Sequence, residues 1–246
     1  MFFLQIIQQF IEAVLPSRCL VCDRRIYGSV LCTLCTPHSK QTTHRCYRCG
    51  IDLENFNQLC EHCRLYPSPI RSIVSLWSYQ DVAAELIRAI KYRPSLKLAR
   101  LVAQRFVPAL INQFNSPDWD LVVPIAASRS GSQRRGFDQG VIFGLQAAKS
   151  VAIRCEYKAL KLNRRRLAQS SLAPKERARN SRNAFKANPT LVKGKVVLLI
   201  DDVLTTGATS TAATLALLEA GAFAVDLACL ARSPRWETYR VSTKRH

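Results

Sequence analysis

The sequence is short of acid: 17 Asp and Glu stand against 36 Lys and Arg, a formal net charge of +19. That balance excludes a chain built to meet basic partners. It points instead to phosphate-bearing ones, from small phosphorylated metabolites to nucleic acid or anionic lipid. Histidine is scarce as well. The four present are His38, His44, His62 and His246, so between His62 and the terminal His246 the chain offers no imidazole base for a Ser–His or Cys–His nucleophilic centre. Neither G-x-x-x-x-G-K-[ST] nor G-x-G-x-x-G occurs, which removes the Walker A and dinucleotide-binding loops. No stretch reaches the roughly 20 apolar residues needed to cross a bilayer. The opening segment "MFFLQIIQQFIEAVLPS" lacks a basic flank and a small-residue cleavage site, so it does not read as an export signal. Its apolar positions 3, 4, 7, 10, 11, 14 and 15 recur at helical spacing, predicting an amphipathic helix over 1–16. The expected setting is cytoplasmic, with any membrane association made through partners.

What is abundant is unevenly placed. Residues 129–186 carry 15 Lys and Arg against 3 Asp and Glu. Within them "RRRLAQSSLAPKERARNSRN", 164–183, shows no long apolar period and reads as a cationic loop between structured elements.

Eight of the ten cysteines fall between positions 19 and 63 as four C-x-x-C pairs: Cys19/Cys22, Cys32/Cys35, Cys46/Cys49 and Cys60/Cys63. "CLVCDRRIYGSVLCTLC" and "CYRCGIDLENFNQLCEHC" are repeats of one unit. Two residues between thiolates let both sulfurs face one ion, and two such knuckles complete a tetrahedral S₄ site. Two zinc ions are therefore expected, with disulfides disfavoured in a reducing compartment. The repeat favours sequential pairing, while spacing alone leaves interleaved pairing open. Cys155 and Cys229 lie in apolar, strand-like contexts and read as core residues.

From about Pro67 the pattern becomes α/β. Strands are expected over 72–79, 119–125, 195–200 and 223–231, and helices over 81–92, 96–114, 140–151 and 210–222. Such alternation implies a largely parallel sheet covered on both faces, with ligands gathering at the carboxyl ends of its strands. The chain thus divides into an amphipathic helix (1–16), a double zinc ribbon (17–66) and an α/β domain (67–246). After the strand "KVVLLI" come Asp201 and Asp202, then Thr205, Thr206, Gly207, Ala208 and Thr209 leading into a helix. Hydroxyls and backbone N–H groups at a helix N-terminus make a phosphate cradle. Adjacent carboxylates suit a sugar diol or a divalent metal.

"VVLLIDDVLTTGAT" resembles the phosphoribosyl-pyrophosphate signature of type I phosphoribosyltransferases. The chain as a whole resembles the ComF/GntX family of competence-associated, phosphoribosyltransferase-like proteins with an N-terminal double zinc ribbon. That resemblance rests on the four knuckles, "IRAIKY" (Ile87–Tyr92), "VVPI" (Val122–Ile125), "RRGFDQ" (Arg134–Gln139), the spaced Gln169, Leu172, Arg177, Asn180 and Phe185, the signature, and "LAR" (Leu230–Arg232).

The resemblance implies that Asp201 and Asp202 bind the ribose hydroxyls and help hold Mg²⁺, and that Thr205–Thr209 take the 5′-phosphate. It gives the pyrophosphate to Ile125, Ala126, Ala127, Ser128 and Arg129, with Arg164 and Arg165 from the cationic loop closing over it. The sequence departs from the family pattern at Asp138, where Asn is usual, at Ala126, where Pro is usual, and at Arg166, where Thr is common. The sugar and 5′-phosphate half is intact and the pyrophosphate half altered.

The expected function is binding of phosphoribosyl pyrophosphate with Mg²⁺ in DNA uptake during natural transformation, with single-stranded DNA and competence-machinery proteins as further partners. Two alternatives stay open. One is an active phosphoribosyltransferase of nucleotide metabolism with an unknown acceptor; the other is a zinc-ribbon adaptor with a non-catalytic phosphoribosyl site.

Overall fold

The computed structural model describes residues 17–19, 21–26, 31–36, 46, 48–51, 53, 59–65, 68–92, 95–114, 117–126, 136–163 and 184–233. The expected N-terminal helix (1–16) lies outside the described residues, as do Ala127, Ser128, Arg129, Arg164 and Arg165. In chain order the elements are β1 (Ser17–Arg18), β2 (Arg25–Ile26), a 3₁₀ turn (Thr33–Cys35), α1 (Glu61–Leu65), β3 (Ile73–Ser78), α2 (Asp81–Tyr92) and α3 (Leu96–Ile111). There follow β4 (Leu121–Pro124), α4 (Gln139–Ser150), β5 (Arg154–Cys155), β6 (Leu160–Leu162), β7 (Phe185–Ala187), α5 (Pro189–Val192), β8 (Val196–Leu204), α6 (Ala208–Glu219) and β9 (Ala224–Arg232).

Five strands form one sheet in the order β3-β9-β8-β4-β5, every pair parallel. The long apolar run of β8 belongs at the centre of such a sheet, where both faces are covered. Its alternation divides the core in two. Leu198 and Ile200 pack with Leu86, Ile87 and Ile90 of α2, Val102 and Phe106 of α3, and Phe143 of α4. Val197 and Leu199 pack on the opposite face with Ala213 and Leu217 of α6 and with Leu160 and Phe185 of the antiparallel β6–β7 hairpin. Each fully buried Leu or Ile of this kind contributes about 1.5–3 kcal/mol relative to exposure.

Helix boundaries follow local chemistry. Ser95 caps α3 by accepting from the Leu98 N–H at 3.1 Å. Asp138 does the same for α4, accepting from Val141 N–H at 3.3 Å. The carboxylate that replaces the family's usual Asn therefore sits at a helix N-cap, a position where Asp and Asn serve equally well.

The strand expected over 195–200 continues to Leu204. Asp201 and Asp202 are consequently inside β8 rather than beyond its end, because the backbone of β9 pairs with it through Leu204↔Arg232. β5, β6, β7 and α5 are too short to produce a readable period.

The cysteine-rich segment straddles the edge of the sheet. Cys19, Cys32 and Cys35 join the core on the α2–α3–α4 face. Cys46, Cys49 and Cys63 join the core on the α6 face. β3 is the edge strand between them. A metal-dependent module packed over a sheet edge also shields its open hydrogen-bonding groups.

Candidate phosphoribosyl and metal sites

The eight paired cysteines gather sequentially, Cys19/Cys22/Cys32/Cys35 and Cys46/Cys49/Cys60/Cys63, with the four sulfurs of each group within 4.8 Å of one another. Cys22 and Cys32 are 3.7 Å apart, and Cys49 and Cys60 are 3.6 Å apart. Zn–S bonds of about 2.3 Å in a tetrahedron place sulfurs about 3.75 Å apart, so both clusters fit the ion. The thiols titrate unequally, as four acids in one pocket must. Contact with Cys49 pulls Cys46 down to about 4, and Cys49 is pushed up in turn. Burial opposes ionisation of Cys19, yet donors at Cys22, Cys32 and Val21 bring it to about 6. Each cluster can hold one zinc ion. Among the described residues no other group of three or more Cys, His, Asp or Glu gathers in this way.

The second site lies at the carboxyl end of β8, between β9 and β4. Strand alternation sends its two carboxylates to opposite faces. Asp201 continues the Val197–Leu199 row toward α6, where Ser210 Oγ donates to its Oδ2 at 3.3 Å. Its Oδ1 accepts the Asp202 N–H at 2.8 Å. Asp202 continues the Leu198–Ile200 row toward α2 and α4. Lys91 Nζ is 3.0 Å from its Oδ1, and Gln139 Nε2 donates to its Oδ2. All four carboxylate oxygens have protein partners.

Burial, and then the neighbouring Asp202 charge, raise the Asp201 carboxyl to about 7, against the opposing pull of the Asp202 N–H, Lys91 and Ser210. The hard oxygen donors fit Mg²⁺, on the condition that a cation reaching Asp202 displaces the Lys91 ammonium.

Directly after β8, Gly207 caps α6 in the left-handed region (φ 75°) with no side-chain hydrogen bond. A residue with a Cβ is strained there. Gly207 thus turns the chain from β8 into α6, whose first-turn N–H groups have no intrahelical acceptor. Thr206 Oγ1 accepts from the Ala208 N–H at 3.3 Å. Thr205, Thr206 and Thr209 are exposed, as is Ala208, so the loop is open on its outer side. On the neighbouring strand Ile125 is buried and its N–H donates to Ile200 O at 2.8 Å. The β4 loop therefore leaves the sheet beside the carboxylate pair. A Cβ on Gly140 would overlap the Ile125 carbonyl oxygen; its absence lets the first turn of α4 slide beneath that loop and delivers Gln139 to Asp202.

Sequence reading singled out Asp201, Asp202 and Thr205–Thr209, and the structure brings these together with Ile125 and Ala126. It assigned no role to Lys91, Gln139 or Ser210. Lys91 and Gln139 were within reach, since they stand in the "IRAIKY" and "RRGFDQ" segments. What one sequence lacks is the fact that these two segments and the signature converge on a single carboxylate.

Residues 137–242 match the phosphoribosyl transferase domain family. The chain is 26% identical to DNA utilization protein YhgH of Escherichia coli (strain K12) over 227 residues, covering 89% of this chain and 98% of that protein. It is 27% identical to Competence protein ComFC of Bacillus subtilis (strain 168) over 224 residues, covering 82% and 89%. A solved glutamine phosphoribosylpyrophosphate (PRPP) amidotransferase from B. subtilis complexed with ADP and GMP superposes with a TM-score of 0.42 at 22% identity, over 63% of this chain and 30% of that one. A parallel sheet bearing the phosphoribosyl transferase match, two Cys₄ clusters compatible with an N-terminal double zinc ribbon, and relatives named for DNA utilization and competence support a phosphoribosyltransferase-like protein of the ComF type.

Proposed function

We infer that this protein binds phosphoribosyl pyrophosphate together with Mg²⁺ and serves the handling of DNA taken into the cell. The observation that carries the first half is the adjacency at the end of β8. Two carboxylates are followed, within five residues, by a glycine-capped helix N-terminus. Asp201 and Asp202 accept hydrogen bonds from the ribose 2′ and 3′ hydroxyls, while the Thr205–Thr209 loop and the α6 N-terminus hold the 5′-phosphate. In this reading Ile125, Ala126, Ala127, Ser128 and Arg129 take the pyrophosphate. Arg164 and Arg165 supply charge from the cationic segment.

Such a site orients the sugar and neutralises a departing pyrophosphate rather than supplying a nucleophile. Mg²⁺, when bound, shares the neutralisation of phosphate charge. Asp138, spent on a helix cap, is no base for an acceptor. Binding is therefore the better-supported half of the reading, with transfer to an acceptor the alternative.

The names of the relatives, DNA utilization and competence, together with the net charge of +19, support the DNA half. In this reading contact with single-stranded DNA is electrostatic and independent of sequence, since the cationic segment has no interleaved aromatics. The zinc ribbon, braced on both faces of the sheet, serves as scaffold and contact surface for other proteins of the uptake machinery.

The test is a melting experiment. Phosphoribosyl pyrophosphate with Mg²⁺ raises the melting temperature of the intact chain, and the double change Asp201→Asn/Asp202→Asn abolishes the rise. An intact protein that melts unchanged would sink the phosphoribosyl half. For the DNA half, affinity for a single-stranded oligonucleotide falls steeply with salt, and neutralising Arg164–Arg166 flattens that dependence. Indifference to both would remove it.

A further inference from the structure

The partners of Asp202 are those of an occupied cation site. Its Oδ1 holds the Lys91 ammonium at 3.0 Å, and Oδ2 takes the Gln139 amide. Lys91 comes from the last turn of α2 and Gln139 from the first turn of α4. Two helices that are not consecutive thus converge on one oxygen pair. The arrangement is not fully satisfied. Gln139 is 5% exposed, and its Oε1 has no hydrogen-bond partner among the described residues. A buried carbonyl without a donor is a cost that a hydroxyl-bearing ligand or a metal's water relieves. Lys91, by contrast, has a side chain about a third exposed, on a flexible four-carbon stem that can carry its charge elsewhere.

Building on the phosphoribosyl reading above, we propose that Lys91 is an exchangeable counter-ion: it occupies the cation position at Asp202 in the ligand-free chain and transfers to the diphosphate of the incoming sugar when a divalent metal takes its place. The charges require both moves. A dication at Asp202 and an ammonium at the same oxygen repel, so Lys91 must leave. The ligand that brings the metal also brings anionic oxygens within the reach of its stem. The device gives the site selectivity for metal and diphosphate arriving together. Free metal must compete with Lys91 and gains nothing from its release, whereas the metal–diphosphate pair gains a new ion pair for the one it breaks. Lys91 is thus a binding residue whose removal changes two affinities in opposite directions. A residue that only braced the fold would change both in the same direction.

The experiment uses the full chain purified with zinc, so that the cysteine clusters are filled, and compares it with Lys91→Met. Lys91→Gln serves as the second variant should the first fold poorly, both residues being good helix formers. Two ligands are titrated: Mn²⁺ alone, by electron paramagnetic resonance, and phosphoribosyl pyrophosphate with Mg²⁺, by calorimetry. Mn²⁺ alone is expected to bind about three- to tenfold tighter without Lys91, and this gain disappears when Asp202→Asn is added. Phosphoribosyl pyrophosphate with Mg²⁺ is expected to bind about tenfold weaker.

Mn²⁺ affinity that is unchanged or reduced without Lys91 overturns the proposal, whatever the sugar does. Tighter Mn²⁺ with unchanged sugar affinity overturns it too, because Lys91 then never reaches the diphosphate. If the unaltered chain ignores phosphoribosyl pyrophosphate altogether, the phosphoribosyl reading fails and the transfer fails with it, while the Mn²⁺ titration still reads whether Lys91 guards Asp202.

Discussion

Gly50 lies against Ile73 so closely that a Cβ on Gly50 would stand 2.9 Å from the Ile73 carbonyl oxygen. This is where the second cysteine cluster meets the edge strand of the sheet. Gly50 follows Cys49 directly and has φ +66°, so an alanine there would suffer both backbone strain and overlap with main chain that cannot swing away. Gly50→Ala is expected to destabilise the chain by about 2–3 kcal/mol, a fall of several degrees in melting temperature. Its zinc content should stay unchanged, since no ligand is altered. A melting curve beside metal analysis checks both. Unchanged stability would mean that the ribbon and the sheet edge are not held in register here.

Because the two clusters enter opposite cores, their metal should stabilise the α/β sheet as well as the ribbon. Cys46→Ser is expected to lower bound zinc from two ions per chain to one. A chelator strong enough to strip both should lower the melting temperature of the whole protein in a single transition, as happens where metal binding is coupled to folding. Two separate transitions, with the later one insensitive to chelator, would show that the sheet does not depend on the ribbon.

The long elements were legible because their periods are long. The helix expected over 81–92 is found at Asp81–Tyr92, and the apolar strands fall where Val, Leu and Ile accumulate. The candidate site was legible for a different reason. Two carboxylates followed by Thr and Gly make chemistry visible in one short stretch. What escaped was long-range. Nothing in "IRAIKY" says that Lys91 turns toward a strand about 110 residues later, and nothing in adjacent aspartates says that strand alternation parts them. That parting gives the pair distinct surroundings, which the residue types alone do not.

The Arg71–Asp226 contact separates a buried charge from an exposed one. Arg71 Nε and one terminal nitrogen donate to the two oxygens of Asp226 at 3.0 and 2.6 Å, and Trp119 Nε1 adds a third bond at 2.8 Å. Arg71 also pairs with Asp118 at 2.6 Å. The Asp226 side chain is 4% exposed and that of Asp118 is 59% exposed. Arg71→Ala strands a buried carboxylate and is expected to cost about 3–5 kcal/mol. Asp118→Asn removes only a solvent-screened pair and should cost less than about 1 kcal/mol. Chemical denaturation of both variants tests the ranking; equal losses would overturn it.

Asp201 gives the metal-free protein an unusual pH dependence. Its carboxyl is raised to about 7, first by burial and then by Asp202, with Lys91 as the opposing cation. A carboxyl raised above its unfolded value binds its proton more tightly when folded. Its contribution is therefore fully stabilising below about pH 4, and it is lost as pH rises toward 7. This runs opposite to the usual acidic residue, whose folded value is depressed. Asp201→Asn mimics the protonated form at every pH. Its melting temperature should match that of the unaltered chain near pH 4, exceed it modestly at pH 5 and exceed it by several degrees at pH 8, all measured without divalent metal. The difference should shrink when Mg²⁺ is added, because the ion offsets the buried charge in the unaltered chain and has less to bind in the variant. A difference that is the same at pH 5 and pH 8 would mean that Asp201 is already ionised across this range.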